Sequence, residues 1–111
     1  MRDHFQEFDI SPEIVNEMIE AGEELVLVDV REDWEWEKSH IEGAIHIPLG
    51  ELPRRLDELD PECWTIVYCH TGEQSVDACL VLWDAGFRKV RNLSGGIDLW
   101  SEVIDPEVPR Y

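Results

Sequence analysis

Apolar residues along this chain switch repeatedly between two spacings. Leu25-Val26-Leu27-Val28 is a continuous apolar run, as expected of a strand covered on both faces. Trp64-Thr65-Ile66-Val67-Tyr68 is a second such run, and Ala44-Ile45-His46-Ile47 and Val90-Arg91-Asn92-Leu93 are shorter ones. Between them the apolar positions move to helical spacing. Ile14, Val15, Met18 and Ile19 form one stripe, with Ser11 as a cap, Pro12 in the first turn and Gly22 as the stop. Leu52, Leu56 and Leu59 predict a helix reaching Pro61, and Ser75 to Ala85 predicts another closed by Gly86. Ile97 to Val103 reads as a last helical turn or two. Strands alternating with helices predict an α/β domain, with a parallel sheet and helices on both faces. Ligands of such sheets bind at the carboxyl ends of the strands, where Asp29, Arg31 and Cys69 all fall. Residues 1–10 read as a polar N-terminal arm carrying Phe5 and Phe8, 11–104 as the domain, and 105–111 as a proline-broken tail.

Cys69 carries the chemistry. It ends an apolar strand and is followed by the polar stretch His70, Thr71, Gly72, Glu73, Gln74 and Ser75, then by a helix. A loop entering a helix presents backbone N–H groups with no partner of their own, and the helix dipole adds to their attraction for an anion. A thiol placed there is expected to ionise more readily than a free cysteine near ~8.5, and the thiolate is the reactive form. The other reading is a cysteine that merely packs at a strand end. Gly72 lets the loop curl, through a positive φ. Ser75 is expected to cap the following helix, its hydroxyl facing the pocket being the second choice. His70 and Thr71 read as rim residues. Proton transfer from Cys69 to His70 is disfavoured because neighbouring side chains diverge.

The residues around Cys69 resemble the rhodanese family of sulfurtransferases. Cys69-His70-Thr71-Gly72-Glu73-Gln74-Ser75 is similar to that family's Cys-x-x-Gly-x-Arg-Ser loop. Val28-Asp29-Val30-Arg31-Glu32 resembles its first core strand and Asp-x-Arg. Glu35 to Ala44 resembles Glu-(aromatic)-x-x-Gly-His-Ile-Pro-Gly-Ala, and Leu93 to Trp100 resembles the closing Gly-Gly-x-x-x-Trp. The resemblance runs from about Ser11 to Ser101 and implies a rhodanese-like sheet of about five strands. It also implies that Cys69 takes a sulfane sulfur as a persulfide, steadied by the amides of His70 to Ser75, and passes it on. The donor would be thiosulfate, a polysulfide or a persulfide, and the acceptor a thiol, cyanide or a sulfur-relay protein, with no metal and no cofactor. The resemblance implies that Arg31 forms a structural ion pair shaping the pocket wall; read from the residues alone, it is either the remaining positive group near the site or a partner of Glu35 or Glu37. His40 would tether loops. Asp29 is expected to accept backbone N–H bonds.

The chain departs from the pattern at Gln74, where many members carry Arg, and at Glu73, Ser39 and Glu42. An anionic donor such as thiosulfate loses one partner at Gln74 and meets one repulsion at Glu73, each worth ~1 kcal/mol if exposed. Two further readings follow. One is a rhodanese-like interaction module with little catalysis. The other is a cysteine phosphatase, whose Cys-x5-Arg loop would need Arg where Ser75 stands.

Composition narrows the partners. The 111 residues carry 26 acidic and 9 basic side chains, a net charge of −17. That excludes a basic stripe for nucleic acid and disfavours anionic membrane surfaces. It fits either an ordinary solvated acidic surface or a high-salt cytoplasm. No apolar run is long enough to cross a membrane, and the first residues lack a signal-peptide core, so a cytoplasmic location is expected. Cys63, Cys69 and Cys79 contain no Cys-x-x-Cys, which indicates neither a disulfide framework nor a zinc knuckle. Cys79 reads as core filling rather than a resolving thiol. His40 and His46 lack a third ligand for a metal. Trp34 and Trp36 are placed in a loop bordering the pocket, where an exposed ring would mark a docking surface.

Overall fold

The computed structural model describes residues 8–110. Five strands pair in parallel: β1 (Asp9–Ile10), β2 (Leu25–Asp29), β3 (Ile45–His46), β4 (Trp64–Tyr68) and β5 (Val90–Leu93). Their spatial order is β1-β5-β4-β2-β3. Four α-helices connect or follow them: α1 (Pro12–Glu20), α2 (Asp33–Lys38), α3 (Ser75–Asp84) and α4 (Gly96–Val103). The α/β architecture expected from the alternation is the one observed.

The side-chain alternation of a strand divides the core in two. Val28 and Val67 point to one face, where they meet Ala78, Cys79 and Leu82 of α3. Leu27, Ile66 and Tyr68 point to the other, with Val15 of α1 and Ile97 and Trp100 of α4. Tyr68 and Cys69 are adjacent, so they face opposite layers.

The order of the strands creates the site. From β2 the chain moves outward to β3. It then returns across the sheet to β4 and moves outward the other way to β5. The crevice beyond the carboxyl ends of β2 and β4 is therefore the switch point, where parallel sheets bind ligands. These two strands run in register from Leu25 opposite Trp64 to Asp29 opposite Tyr68.

Two local expectations are corrected, and the N-terminal arm gains a detail. The segment expected as a helix up to Pro61 forms two 3-10 helices, Leu49–Arg54 and Leu56–Glu58. Pro53 lies inside the first and cannot donate to an α-helical ladder. The segment holding Trp34 and Trp36 is a helix, not a loop. It starts at a reciprocal box in which the Glu35 carboxylate accepts the Glu32 N–H and the Glu32 carboxylate accepts the Glu35 N–H. The arm expected over residues 1–10 contains a strand. Asp9–Ile10 pairs with β5, and Phe8 is buried against the core, its ring edge-on to Trp83. Phe5 lies outside the described residues.

The tail is not loose. Val108 is buried, its carbonyl accepts the Ser101 hydroxyl, and the Pro109 carbonyl accepts the Ser39 hydroxyl at 3.1 Å. Arg110 grips Asp98 with two bonds of 2.9 and 3.1 Å, and that guanidinium holds the Asp98 carboxyl below the usual range.

Candidate active site

Tyr68 ends the buried stretch of β4, and Cys69 follows directly after the strand. The chain then turns sharply at Gly72, whose φ is +94°. This brings three donors to one sulfur. The Gly72 N–H reaches Cys69 Sγ at 3.2 Å, the Ser75 N–H at 3.3 Å and the Ser75 hydroxyl at 3.3 Å. Of the loop amides from His70 to Ser75, those two are the ones bonded to sulfur.

Ser75 does not cap α3, as its position suggested. Gln74 holds the cap position without a side-chain bond, and Ser75 is the first helical residue. The sulfur accepts the Ser75 N–H, one of the helix-start amides that have no partner within the helix. The hydroxyl is then left to face inward, toward Cys69 and Asn92.

α4 holds the loop from below. Two amides of its first turn, of Ile97 and Asp98, donate to the carbonyls of Cys69 and His70 at 3.0 and 3.1 Å. This contact needs glycine at position 96. Gly96 has a φ of +61°, and a Cβ there would lie 2.4 Å from the Cys69 carbonyl oxygen. Gly72 packs nearly as closely, 3.0 Å from the Gly95 nitrogen by the same measure.

Cys69 forms the floor of a cleft of about 280 Å³ lined also by Glu32, Glu35, His70, Thr71, Glu73 and Gln74. The residue is only 2 % exposed. Cys69 thus borders the cleft while being almost fully covered. Among the described residues, three glutamates and no arginine line the opening.

Asp29 and Arg31 fall at the same edge yet do not line the cleft. Arg31 is 1 % exposed and lies along Asp29, with Nε at 2.9 Å from Oδ1 and Nη2 at 2.6 Å from Oδ2. The same carboxylate accepts the Arg31 N–H at 3.0 Å, as expected of Asp29. Arg31 Nη2 also donates to the Ser39 carbonyl. This pair ties the end of β2 to the segment after α2. Tyr68 lies against it, and burial together with the Asp29 charge pushes its hydroxyl far above the ordinary tyrosine value.

His40 is exposed. Its ring stacks on Trp36 at 3.6 Å and its Nδ1 donates to the Trp36 carbonyl at 2.8 Å. That bond is local. A longer-range bond is made by His46 on β3, whose Nε2 donates to the Arg31 carbonyl just beyond β2 at 2.8 Å. Trp34 stands 61 % exposed on α2, outside the cleft lining.

Asn92 was not singled out by sequence reasoning. It is buried in β5, and its amide donates to the Gly72 carbonyl and to Asp9 Oδ1, each at 3.0 Å. The signal was available, because asparagine is depleted in strand interiors and this one stands between Arg91 and Leu93 in a strand.

The rhodanese-like domain family model matches residues 11–103. The chain belongs to the rhodanese-like family. It is 37 % identical over 99 residues to YtwF of Bacillus subtilis, covering 89 % of this chain and 95 % of that one. A sulfurtransferase of Allochromatium vinosum is 30 % identical over 103 residues, covering 89 % of this chain and 96 % of that protein. YrkF of Bacillus subtilis is 39 % identical over 93 residues, and the chain spans about half its length. Among solved structures, a rhodanese-related protein from Thermoplasma volcanium superposes with a TM-score of 0.79 at 29 % identity, covering 93 % of this chain and 98 % of that one. No helix among the described residues is long and apolar enough to cross a membrane.

Proposed function

We propose that this rhodanese-like domain is a sulfurtransferase in which Cys69 carries the sulfur. The observation that carries the reading is the convergence of three donors on Cys69 Sγ at the floor of a cleft at the switch point. Donors so placed suit a sulfur that bears negative charge. Relatives named as sulfurtransferases support the reaction class.

The step balances without a cofactor. The Cys69 thiolate attacks the outer sulfur of the donor, a new S–S bond forms, and the donor's own bond to that sulfur breaks. With thiosulfate the leaving group is sulfite, and with a persulfide it is a thiolate. The terminal sulfur of the Cys69 persulfide keeps the negative charge, close to the amides of Gly72 and Ser75. An acceptor thiolate or cyanide then attacks that terminal sulfur and releases the Cys69 thiolate. His70, Thr71, Glu73 and Gln74 line the path. Asp29 and Arg31 support the wall by fixing the backbone that leads to Glu32 and Glu35. His40 has the weakest claim to a support role, since its bond is within one turn.

The acidic opening and the near-complete cover of Cys69 favour a second reading, an interaction module that does little chemistry. One experiment separates them. The protein is incubated with thiosulfate, a polysulfide and a small-molecule persulfide, and its intact mass is followed for one added sulfur. The proposal expects an adduct on Cys69 from at least one donor, its removal by cyanide as thiocyanate, and none in Cys69→Ser. A folded protein that takes sulfur from no donor supports the module. The phosphatase reading has little left, since Ser75 occupies the place of the phosphate-clamping arginine. Turnover of a phenyl phosphate that vanishes in Cys69→Ser would restore it.

A further inference from the structure

The hydroxyl of Ser75 has two acceptors and one proton. It stands 3.3 Å from Cys69 Sγ and also bonds to Asn92 Oδ1. A serine hydroxyl can donate once. Which acceptor receives the proton depends on Asn92, and Asn92 is not free to turn. Its amide nitrogen faces the Gly72 carbonyl and Asp9 Oδ1, both acceptors, at 3.0 Å each. Turning the amide over would set its oxygen against two oxygens. The amide oxygen therefore stays aimed at Ser75.

The two protonation states of sulfur then use the hydroxyl differently. When Cys69 is a thiol, its S–H donates to Ser75 Oγ and the Ser75 proton goes to Asn92. Every group in the chain is then satisfied. When the sulfur is an anion, it has no proton to give and is the stronger acceptor. The Ser75 proton turns to sulfur, and Asn92 Oδ1, buried with its residue at 1 % exposure, loses that donor. Asn92 thus favours the neutral sulfur, and Ser75 favours the charged one.

We propose that Asn92 is a positioning residue that competes with Cys69 for the Ser75 proton, and so sets how readily the sulfur carries charge. This inference rests on the reading of Cys69 as the reactive sulfur. It requires no particular donor.

Alkylation of Cys69 by iodoacetamide, followed by peptide mass across a pH series, reads the charged sulfur directly. The other ionisable groups around it are Glu32, Glu35, His70, Glu73, Cys79 and, through Asn92, Asp9. They are common to all variants, but Asn92→Leu also strips the donors from Gly72 and Asp9, so the full cycle with Ser75→Ala isolates the hydroxyl. Ser75→Ala should move the midpoint up by about one pH unit, and Asn92→Leu should move it down by a similar amount. The double variant should match Ser75→Ala alone, since competition for the Ser75 proton vanishes with the hydroxyl, whereas an effect carried by the Asn92 bonds to Gly72 or Asp9 would persist without it. A merely structural role would shift Asn92→Leu equally in both backgrounds, or not at all, and either result overturns the proposal. Asn92→Ala is the second variant, with the same expected direction. The intact chain offers a check that does not depend on these variants folding. The Asn92 side-chain amide resonances should move as Cys69 ionises, and should stay still over the same range in Ser75→Ala. Resonances that ignore the titration in the unaltered protein refute the competition. If the alkylation cycle holds and no donor adds sulfur, the sulfur-transfer reading fails and this inference survives.

Discussion

The ends of β2 and β4 lie side by side, in register, and each is followed within two residues by a reactive-looking group. At β4 the group is Cys69, and at β2 it is Arg31, beside Asp29. The backbone even joins them, for the Val30 N–H donates to the Tyr68 carbonyl at 3.1 Å. Their fates differ. Arg31 is turned along its own strand end, with two nitrogens engaged by one buried carboxylate and one of these also by the Ser39 carbonyl. At Cys69 the donors come from the loop and the first residue of α3, and the residue they surround lines the cleft. Position at the productive edge of a parallel sheet is thus not enough for chemistry. What matters is whether the group's bonding capacity is already closed by its neighbours. Asp29 and Arg31 act as mortar, and Cys69 is left with a face to the cleft.

The largest expected effect breaks the mortar. Arg31→Leu leaves the Asp29 carboxylate buried without its main partner, and should cost about 3–5 kcal/mol in denaturant unfolding. Replacing both residues by leucine should recover much of that loss, because no unpaired charge then remains. Cys69→Ser should stay within about 1 kcal/mol of the parent. A comparable loss at Cys69 would remove the distinction between the two strand ends.

Gly96→Ala tests the other region. The new Cβ would collide with the carbonyls of Cys69 and His70 at a positive φ. The expected cost is about 1–3 kcal/mol, together with a fall of about tenfold or more in sulfur uptake as the loop shifts. Gly43→Ala is the control, since its φ is also positive but nothing lies within 4 Å of the new Cβ. It should cost about 1 kcal/mol and leave uptake unaltered. Equal uptake in both variants would mean that the α4 contact does not hold the loop.

A smaller effect separates two thiols of one hydrophobic layer. Cys79 is fully buried, and burial pushes its thiol up to about 12, with Asp9 adding to the rise. The folded chain therefore keeps this proton where the unfolded chain, near an ordinary cysteine, releases it. The sign follows: this contribution to stability is whole below about pH 9 and declines as pH rises toward about 12. Tyr68, also raised by burial, contributes in the same direction at higher pH. Cys79→Ala should be less stable overall yet lose less stability over that alkaline window. In the folded protein at neutral pH, iodoacetamide should mark Cys69 before Cys79. The reverse order would place Cys69 among the inert core residues.

Much of this was readable from side-chain types in order along the chain. The strands Trp64–Tyr68 and Val90–Leu93, the Ser11 cap and the turn at Gly72 all announce themselves through local rules. What the sequence hid was long-range. Strand order is set by which edges pair, and no residue states it. The partner of Ser75 is Asn92, 17 positions away, so local logic chose a cap instead. α2 escaped notice because its box uses glutamate at the cap in place of the usual serine or threonine. The tail's prolines signalled an end to helix, correctly, but not that Val108 would be buried.

The smallest expected effect concerns charge at the opening, and it sharpens the contrast in another way. The arginine at the edge of the sheet is locked away, while the exposed loop carries Glu73 and Gln74 with Glu32 and Glu35 opposite. A dianionic donor must approach sulfur through that field. Gln74→Arg adds an exposed positive charge to the cleft lining and should raise the rate of sulfur uptake from thiosulfate several-fold. An exposed charge is worth about 1 kcal/mol, or roughly fivefold in rate. Glu73→Gln should raise it less, because it removes a repulsion without supplying a partner. Both gains should shrink as salt is added, since screening acts over about 10 Å at 0.1 M. Uptake from a singly charged donor, such as a small-molecule persulfide, should change less in either variant. If Gln74→Arg lowers thiosulfate uptake, or speeds all donors alike, then charge at this rim is not what selects the donor. Access to the nearly covered sulfur would then be the step that decides the rate.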